Sequence, residues 1–265
     1  MVFWKCPREW ISKFYLVKAN NLDSERNMHI MEGFLPWEWC LVWWLIALPF
    51  VVMGIVELRA LMQKDREYLP LLGVSGAFIF ILSALKLPSV TGSCSHPTGT
   101  GLSVMCFKVY ITALIGGIVL LFQALLLAHG GLSTMGANMV SMAIGGPIAG
   151  YAVYKLLKDT SINIYITVFL VAAVADIVTY IITSFELAVA YPAAVGGIPT
   201  SFAAFFAIFA ITQVPLSIIE GLVLALVFKY ILQLKPDLIE KLGVFKKEQI
   251  DRALGTAPEK SAGTV

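Results

Sequence analysis

The stretch WCLVWWLIALPFVVMGIV, residues 39–56, sets the class of this protein. It has no charged residue over 18 positions, which is close to the length of α-helix that crosses the hydrocarbon core of a bilayer. Glu57, Arg59, Lys64 and Arg66 follow directly. Because basic residues collect on the cytoplasmic side of a membrane, this stretch predicts a first spanning helix whose far end is cytoplasmic.

The composition extends that interpretation to the whole chain. Hydrophobic residues make up 58% of the 265 positions and charged residues only 14%, which is typical of a protein that has the bilayer as its solvent. The net charge of +2 is too small to indicate a nucleic-acid partner. Four cysteines without CxxC spacing indicate neither a disulfide framework nor a zinc site.

Five further apolar runs predict the remaining helices, and they lie at residues 68–85, 102–128, 138–154, 162–185 and 202–232. The run at 102–128 is too long for one crossing, too short for two, and interrupted by Lys108. If Lys155, Lys158 and the basic C-terminal tail are all cytoplasmic, this run must enter the membrane and return. We therefore predict an all-α integral membrane protein with about seven transmembrane helices, the third short or re-entrant, with the N-terminus outside.

Three regions are expected along the chain. Residues 28–233 form the transmembrane metal-binding domain, and residues 234–265 form a polar cytoplasmic tail. Residues 1–27 are basic and have neither a continuous apolar core nor a small-residue cleavage site, which argues against a secretory signal peptide. They are either an amphipathic segment on the membrane surface or a leader absent from the native protein, whose translation would then start at Met28.

The segment MHIMEGFLP, residues 28–36, carries the chemistry. If Met28 is the first residue of the mature protein, its α-amine, the backbone nitrogen of His29 and the His29 imidazole can close adjacent chelate rings on one metal ion. A fourth nitrogen would complete a plane, a geometry that suits Ni(II), Cu(II) and low-spin Co(II). His96, in a loop of small residues, is a suitable fourth ligand. Cys94 is a softer alternative.

Other polar residues in the apolar chain have two interpretations each. His129 is either an ordinary hydrogen-bonded residue or a further ligand. Asp176 and Glu220, inside predicted helices, are either functional groups or hydrogen-bonded structural residues. Small residues recur every four positions and predict a smooth helix face for close packing, within the chain or with a partner, and they are Ala137, Ser141, Gly145 and Ala149.

Three motifs resemble those of a known family, the integral-membrane substrate-capture (S) components of cobalt and nickel energy-coupling-factor (ECF) transporters, called the CbiM/NikM family. The motifs are MHIMEGFLP at 28–36, SHPTGTGL at 95–102 and VLLFQALLLAHGGLSTMGAN at 119–138. The likeness extends to about residue 232. It implies an S-component-like helical bundle in the cell membrane, with its metal site on the outer side.

The resemblance also implies a ligand set, a cargo and partners. The amine of Met28, the amide nitrogen and imidazole of His29, and the imidazole of His96 would hold the transported Co(II) or Ni(II). Polar residues of the same motifs are candidates for supporting roles, and they are Glu32, Ser95, His129 and Asn138. The implied partners are a transmembrane coupling subunit, a small accessory membrane subunit and two cytoplasmic ATPase subunits. The cobalt branch, which supplies cobalamin biosynthesis, is preferred because the opening motif looks more like it.

Missing motifs agree with a transporter subunit that is not an enzyme. No GxxxxGK[ST] phosphate loop occurs, so the chain has no such site for ATP hydrolysis, and neither HExxH nor a nucleophile elbow is found. A proton-coupled secondary metal transporter is the alternative of a different class, with Asp176 and Glu220 as the proton relay.

Overall fold

The computed structural model describes residues 30–85, 87–88 and 94–256, and for 87, 88 and 94 the backbone alone. The long helices are α1 (Trp37–Lys64), α2 (Leu69–Ala84, preceded by the 3₁₀ turn Arg66–Tyr68), α3 (Thr100–Leu126), α6 (Ile164–Ala190) and α7 (Gly197–Leu234). Between α3 and α6 lie α4 (Met135–Asn138), a π-helical stretch (Met139–Gly145) and α5 (Gly146–Leu157). Two short helices, α8 (Pro236–Lys241) and α9 (Lys247–Leu254), follow α7. A two-residue antiparallel ribbon, β1 (Leu87–Pro88) with β2 (Cys94–Ser95), precedes α3.

Within these residues, six helical segments are long and apolar enough to cross a membrane. They confirm the all-α, multi-pass membrane class, and each begins and ends within eight residues of its predicted run. The count differs from the predicted seven because one predicted segment does not have the length of a span. The predicted leader, residues 1–27, lies outside the described residues, and so do Met28 and His29, which follow it.

The missing seventh segment is the first arm of α3. Lys108 has φ 62° and ψ −175° inside this helix, a region of backbone space used almost only by glycine. The hydroxyls of Ser103 and Thr112 are 2.9 Å apart, whereas nine residues of straight helix would separate them by roughly 13 Å. The chain therefore folds back at Lys108, as predicted for a re-entrant element.

This re-entrant arm, residues 100–107, lies in the centre of the bundle, and all eight of its residues are buried. Glycines allow it to enter there. A Cβ on Gly101 would lie 3.1 Å from Ala172 Cα in α6, and one on Gly99, which has φ 72°, would lie 2.9 Å from Ile79 Cα in α2. Non-helical backbone at membrane depth is tolerated only inside protein or beside a cavity, and the arm satisfies that condition.

One residue of the predicted face of small residues, Gly145, packs within the chain, because a Cβ there would collide with Ile182 in α6. Two glycines beside that face approach α6 as well: a Cβ on Gly150 would lie 3.1 Å from Ala175 Cβ, and one on Gly146 would collide with Thr179. Close approach of backbones is the usual role of such faces in membranes. α5 and the π-helical stretch thus run antiparallel to α6 at short range.

The predicted polar tail is partly folded against the bundle. Ile239, Phe245 and Ile250 are buried, and the hydroxyl of Tyr154 donates to the carbonyl of Val244 at 2.5 Å. Exposed ion pairs, Lys241–Glu67 and Lys246–Asp159, add contacts of 2.6 and 2.9 Å. Burial of apolar side chains, and not these exposed ion pairs, supplies most of the docking energy.

Candidate metal centre

His96 lies deep in the bundle, in the loop that leads into the re-entrant arm. Its side chain is buried. Its N–H donates to the Tyr180 hydroxyl at 3.2 Å, and that hydroxyl donates to the His96 carbonyl at 3.1 Å. Tyr180 is ten residues before the end of α6, roughly 15 Å along the helix. The loop thus carries an imidazole to about the middle of a bilayer-sized structure.

The tautomer of His96 follows from its hydrogen bond. Nδ1 lies 3.0 Å from the carbonyl oxygen of Pro97. A carbonyl can only accept, so Nδ1 carries the proton and Nε2 carries the lone pair. This is the arrangement by which proteins orient a metal-binding imidazole.

A small cavity of about 20 Å³ adjoins His96. The other side chains that line it are polar or contain sulfur. They come from α4, the π-helical stretch and α6, and they are Asn138, Ser141, Met142, Thr179, Tyr180 and Thr183. Such a volume holds about one water molecule or one ion. It is too small for an organic substrate.

Asn138 connects this cavity to the N-terminal motif. Its side-chain oxygen accepts from the N–H of Ile30 at 3.0 Å, and its side-chain nitrogen donates to the carbonyl of Ile30 at 3.2 Å. The hydroxyl of Thr134 donates to the same carbonyl at 2.5 Å. The residue that follows His29 in the chain is therefore fixed to the cavity wall by three hydrogen bonds.

Glu32 makes a second connection between the motifs. Its carboxylate accepts from the Ser133 N–H at 3.0 Å. Hydrogen bonds from the side chain and backbone of Ser133 lower the pKa of Glu32. Gly131 is required beside it, because a Cβ there would lie 2.6 Å from the Glu32 backbone. Glu32 thus holds the N-terminal motif against the 129–134 loop and lies apart from the cavity lining.

His129 approaches His96 although 33 positions separate the two in sequence. The ring centroids are 5.3 Å apart at an interplanar angle of 62°, and both side chains are buried. An edge-to-face contact of this kind orients both rings. His129 is therefore in contact with His96, and its role at a metal site stays a prediction.

The two predicted intramembrane acids hold the His96 loop. The carboxylate of Glu220 accepts from the N–H groups of Thr98 and Gly99 at 2.6 and 2.8 Å. Gln213 donates to the His96 carbonyl at 3.2 Å and to Asp176 at 2.5 Å. These contacts favour the structural interpretation of Glu220, because its carboxylate is occupied by loop donors.

The structure brings some of the predicted site residues together and places others elsewhere. His96 and Asn138 line the cavity, and His129 contacts the ring of His96. Ser95 instead contacts Thr212 in α7, with their hydroxyl oxygens 2.6 Å apart. Met28, His29 and the side chain of Cys94 lie outside the described residues.

Sequence reasoning missed Tyr180, Gln213 and Glu186. Tyr180 and Gln213 are polar residues in apolar helices, a signal that we applied only to Asp and Glu. Glu186 escaped because the predicted segment ended at Phe185, whereas α6 continues to Ala190. A longer window would have placed this third acid inside the membrane.

Comparison with known proteins gives a consistent picture. Residues 29–238 match the family model described as "Cobalt uptake substrate-specific transmembrane region", CbiM. A putative cobalt transport protein CbiM 2 of Methanosphaerula palustris is 81% identical over 226 residues, covering 85% of this chain and 96% of that protein. The cobalt transport protein CbiM of Nostoc sp. is 53% identical over 235 residues, covering 89% and 90% respectively. A crystal structure of a transition metal transporter has the same fold, with a TM-score of 0.67 at 23% identity, covering 82% of this chain and 98% of that one.

Proposed function

Because this chain belongs to the CbiM family of cobalt uptake substrate-specific transmembrane proteins, we propose that it is the substrate-binding membrane subunit of an ATP-driven ECF-type importer for Co(II). The family makes it a cobalt transporter component. The ion that this chain itself binds, its ligands, its energy source and its partners are the proposal.

One observation carries the proposal most directly, namely the fixed imidazole of His96 beside a cavity of about 20 Å³. The Nδ1–H···O contact to Pro97 directs the Nε2 lone pair toward a ligand role. The size of the cavity suits one ion. An ion bound at this depth loses its hydration shell, so the site favours an ion that forms strong bonds to nitrogen ligands in place of its bonds to water.

The remaining ligands are the amine of Met28 and the amide nitrogen and imidazole of His29. The three hydrogen bonds that fix Ile30 to Asn138 and Thr134 support this set, because they anchor the chain immediately after His29 at the cavity wall. The amine requires that Met28 be the mature N-terminus. Ni(II) is the alternative cargo, since the same four nitrogens suit both ions.

The proposed energy source is ATP hydrolysis by partners. The chain has no phosphate loop, so two cytoplasmic ATPase subunits would act through a transmembrane coupling subunit, with a small accessory membrane subunit completing the complex. The metal would enter from the outside of the cell membrane and leave toward the cytoplasm, where it would supply cobalamin biosynthesis. A proton-coupled carrier remains the second candidate because Asp176 and Glu220 are buried close to the centre.

Metal binding by the purified protein in detergent tests the site. We expect one Co(II) per chain, and we expect His29→Ala and His96→Ala each to abolish stoichiometric binding. Gln63→Ala, an exposed residue near the opposite end of α1, is the control and should bind normally. Retained stoichiometric binding in either histidine variant would refute the ligand set.

Uptake of cobalt by cells that express the chain with its partner genes separates the two energy sources. Accumulation should continue when the proton gradient is dissipated while ATP is maintained. Loss of uptake under that condition would favour the proton-coupled carrier.

A further inference from the structure

Glu186 is a buried acid that the proposed ligand set does not use. Its exposed fraction is 0%. Among the residues that the structure describes, neither carboxylate oxygen has a hydrogen-bond partner. A buried carboxyl without a partner is costly. Such a group therefore requires a functional explanation.

Its position is close to the candidate metal centre. Thr179, Thr183 and Glu186 are spaced by four and three residues and so lie on one face of α6, and the two threonines line the cavity. In the antiparallel packing on α6, Gly150 lies opposite Ala175 and Gly146 lies opposite Thr179. Moving along α6 toward its C-terminus therefore means moving back along the neighbouring helix, and this register places Glu186 opposite residues 139–141.

Two neighbours agree with that register. The carboxyl of Glu186 is near Ser141, another residue of the cavity lining. Leu187, the next residue in α6, belongs to the same buried cluster as Ile30 and Ala137. Glu186 therefore lies on the side of the cavity where the N-terminal motif is anchored.

No described cation balances a charge on Glu186. The ion pairs of the described residues are Lys241–Glu67 and Lys246–Asp159, and both belong to the opposite end of the bundle, beyond the Lys64 end of α1. Within the part of the chain that the structure describes, no lysine or arginine interacts with Glu186. A bound cation is therefore a partner that would favour the ionised form of this carboxyl.

We propose that Glu186 is the counter-charge for the divalent cation bound beside His96, an anionic residue that balances the ion through space without being one of its nitrogen ligands. This inference rests on the proposed function. The amine and imidazole ligands are neutral, so even with a deprotonated amide the complex keeps positive charge in a medium of low dielectric constant. A fixed negative charge nearby lowers that energy much more than it would in water.

The assignment predicts opposite effects on the metal-free and metal-bound protein. Glu186→Gln keeps the shape and removes the charge. The metal-free variant should melt at the same temperature as the parent or higher, because a buried unpaired carboxyl is lost. Its Co(II) affinity should fall on the order of tenfold to a hundredfold. A residue that merely packs would show no such loss.

Co(II) titration of the mature protein that begins at Met28, in detergent, with a melting curve for each variant, is the test. Glu186→Asp keeps the charge and should retain affinity within about threefold. Glu38→Gln removes an exposed carboxyl from the first turn of α1, at the same end of the bundle, and should change nothing.

Two results would overturn the inference. Unchanged affinity in Glu186→Gln would show that its charge does not act on the cation. Equal losses in Glu186→Gln and Glu186→Asp would show that the charge of the side chain is not what the cation senses. If His96→Ala also bound Co(II) normally, the proposed function would fail; if His96→Ala lost binding while Glu186→Gln kept it, only the role of Glu186 would fail.

Discussion

Replacing Glu220 should release the loop that carries His96. The Glu220 carboxylate accepts from the N–H of Thr98 at 2.6 Å, from the N–H of Gly99 at 2.8 Å and from the Thr98 hydroxyl at 3.1 Å. All of these groups are buried, so water cannot take the place of the carboxylate. Glu220→Ala leaves two backbone donors without an acceptor, whereas Glu220→Gln keeps one oxygen and leaves one.

The expected cost follows from that difference. A buried donor left without a partner costs about 1–3 kcal/mol. Glu220→Ala should therefore destabilise the protein by roughly 2–6 kcal/mol and Glu220→Gln by roughly 1–3 kcal/mol. The Thr98 hydroxyl adds little, because it can turn to the Thr100 hydroxyl, 3.4 Å away. Since His96 is two residues before Thr98, Co(II) affinity should fall in the same order.

Thermal unfolding and Co(II) titration of the same preparations measure both effects. Ser217→Ala is the matched control. Ser217 is buried one turn earlier on α7, and its hydroxyl donates to Val214 of the same helix at 2.8 Å, so it does not touch the loop. If Glu220→Ala matched Ser217→Ala in melting temperature and affinity, the idea that Glu220 holds the loop would be wrong.

Three further predictions concern other parts of the molecule. Lys108→Gly should stabilise the protein by about 1–2 kcal/mol, because glycine adopts the φ of 62° at the fold-back without strain, and a lower melting temperature would contradict that strain. The pKa of Glu32 is lowered in the folded state, mainly by Ser133. Its contribution to stability is therefore present above the unfolded pKa of about 4.3 and is lost as the pH falls through the folded pKa. Glu32→Gln should make the melting temperature depend less on pH between pH 6 and 3, and an unchanged slope would argue against this role. Tyr154→Phe removes the hydrogen bond to Val244, at a cost of about 1 kcal/mol, and should speed proteolysis after Lys247 of α9, whereas equal rates would show that apolar burial alone docks the tail.

Several features of the fold follow from local sequence. Residues 39–56 and the other apolar runs predict span-length helices because the hydrophobic length that crosses a bilayer is a property of each segment. The re-entrant arm was also predictable, since the positions of Lys155, Lys158 and the C-terminal tail required residues 102–128 to return to the side from which they came. The fold-back at Lys108 confirms the re-entrant element, and the sides of the membrane stay a prediction.

The candidate site was predictable only where motifs marked it. His96 was singled out as a ligand, and the structure brings it to a cavity of ionic size. The roles of Met28 and His29 stay predictions. The tail shows a limit of a different kind, since its polar composition did not reveal that Ile239, Phe245 and Ile250 pack against the bundle.

Local hydrophobicity and charge thus determine that this chain crosses a membrane several times and that residues 102–128 contain a re-entrant element, because both depend on continuous stretches of residues. The structure decides that the first arm of that element is too short to count as a span. Tertiary packing alone decides that His129 meets His96 across 33 positions, that Asn138 holds Ile30 across 108, and that Glu220 holds the loop 121 positions before it. These contacts depend on how helices pack against one another, which glycine and alanine faces set through backbone distances. No short window of sequence contains that information.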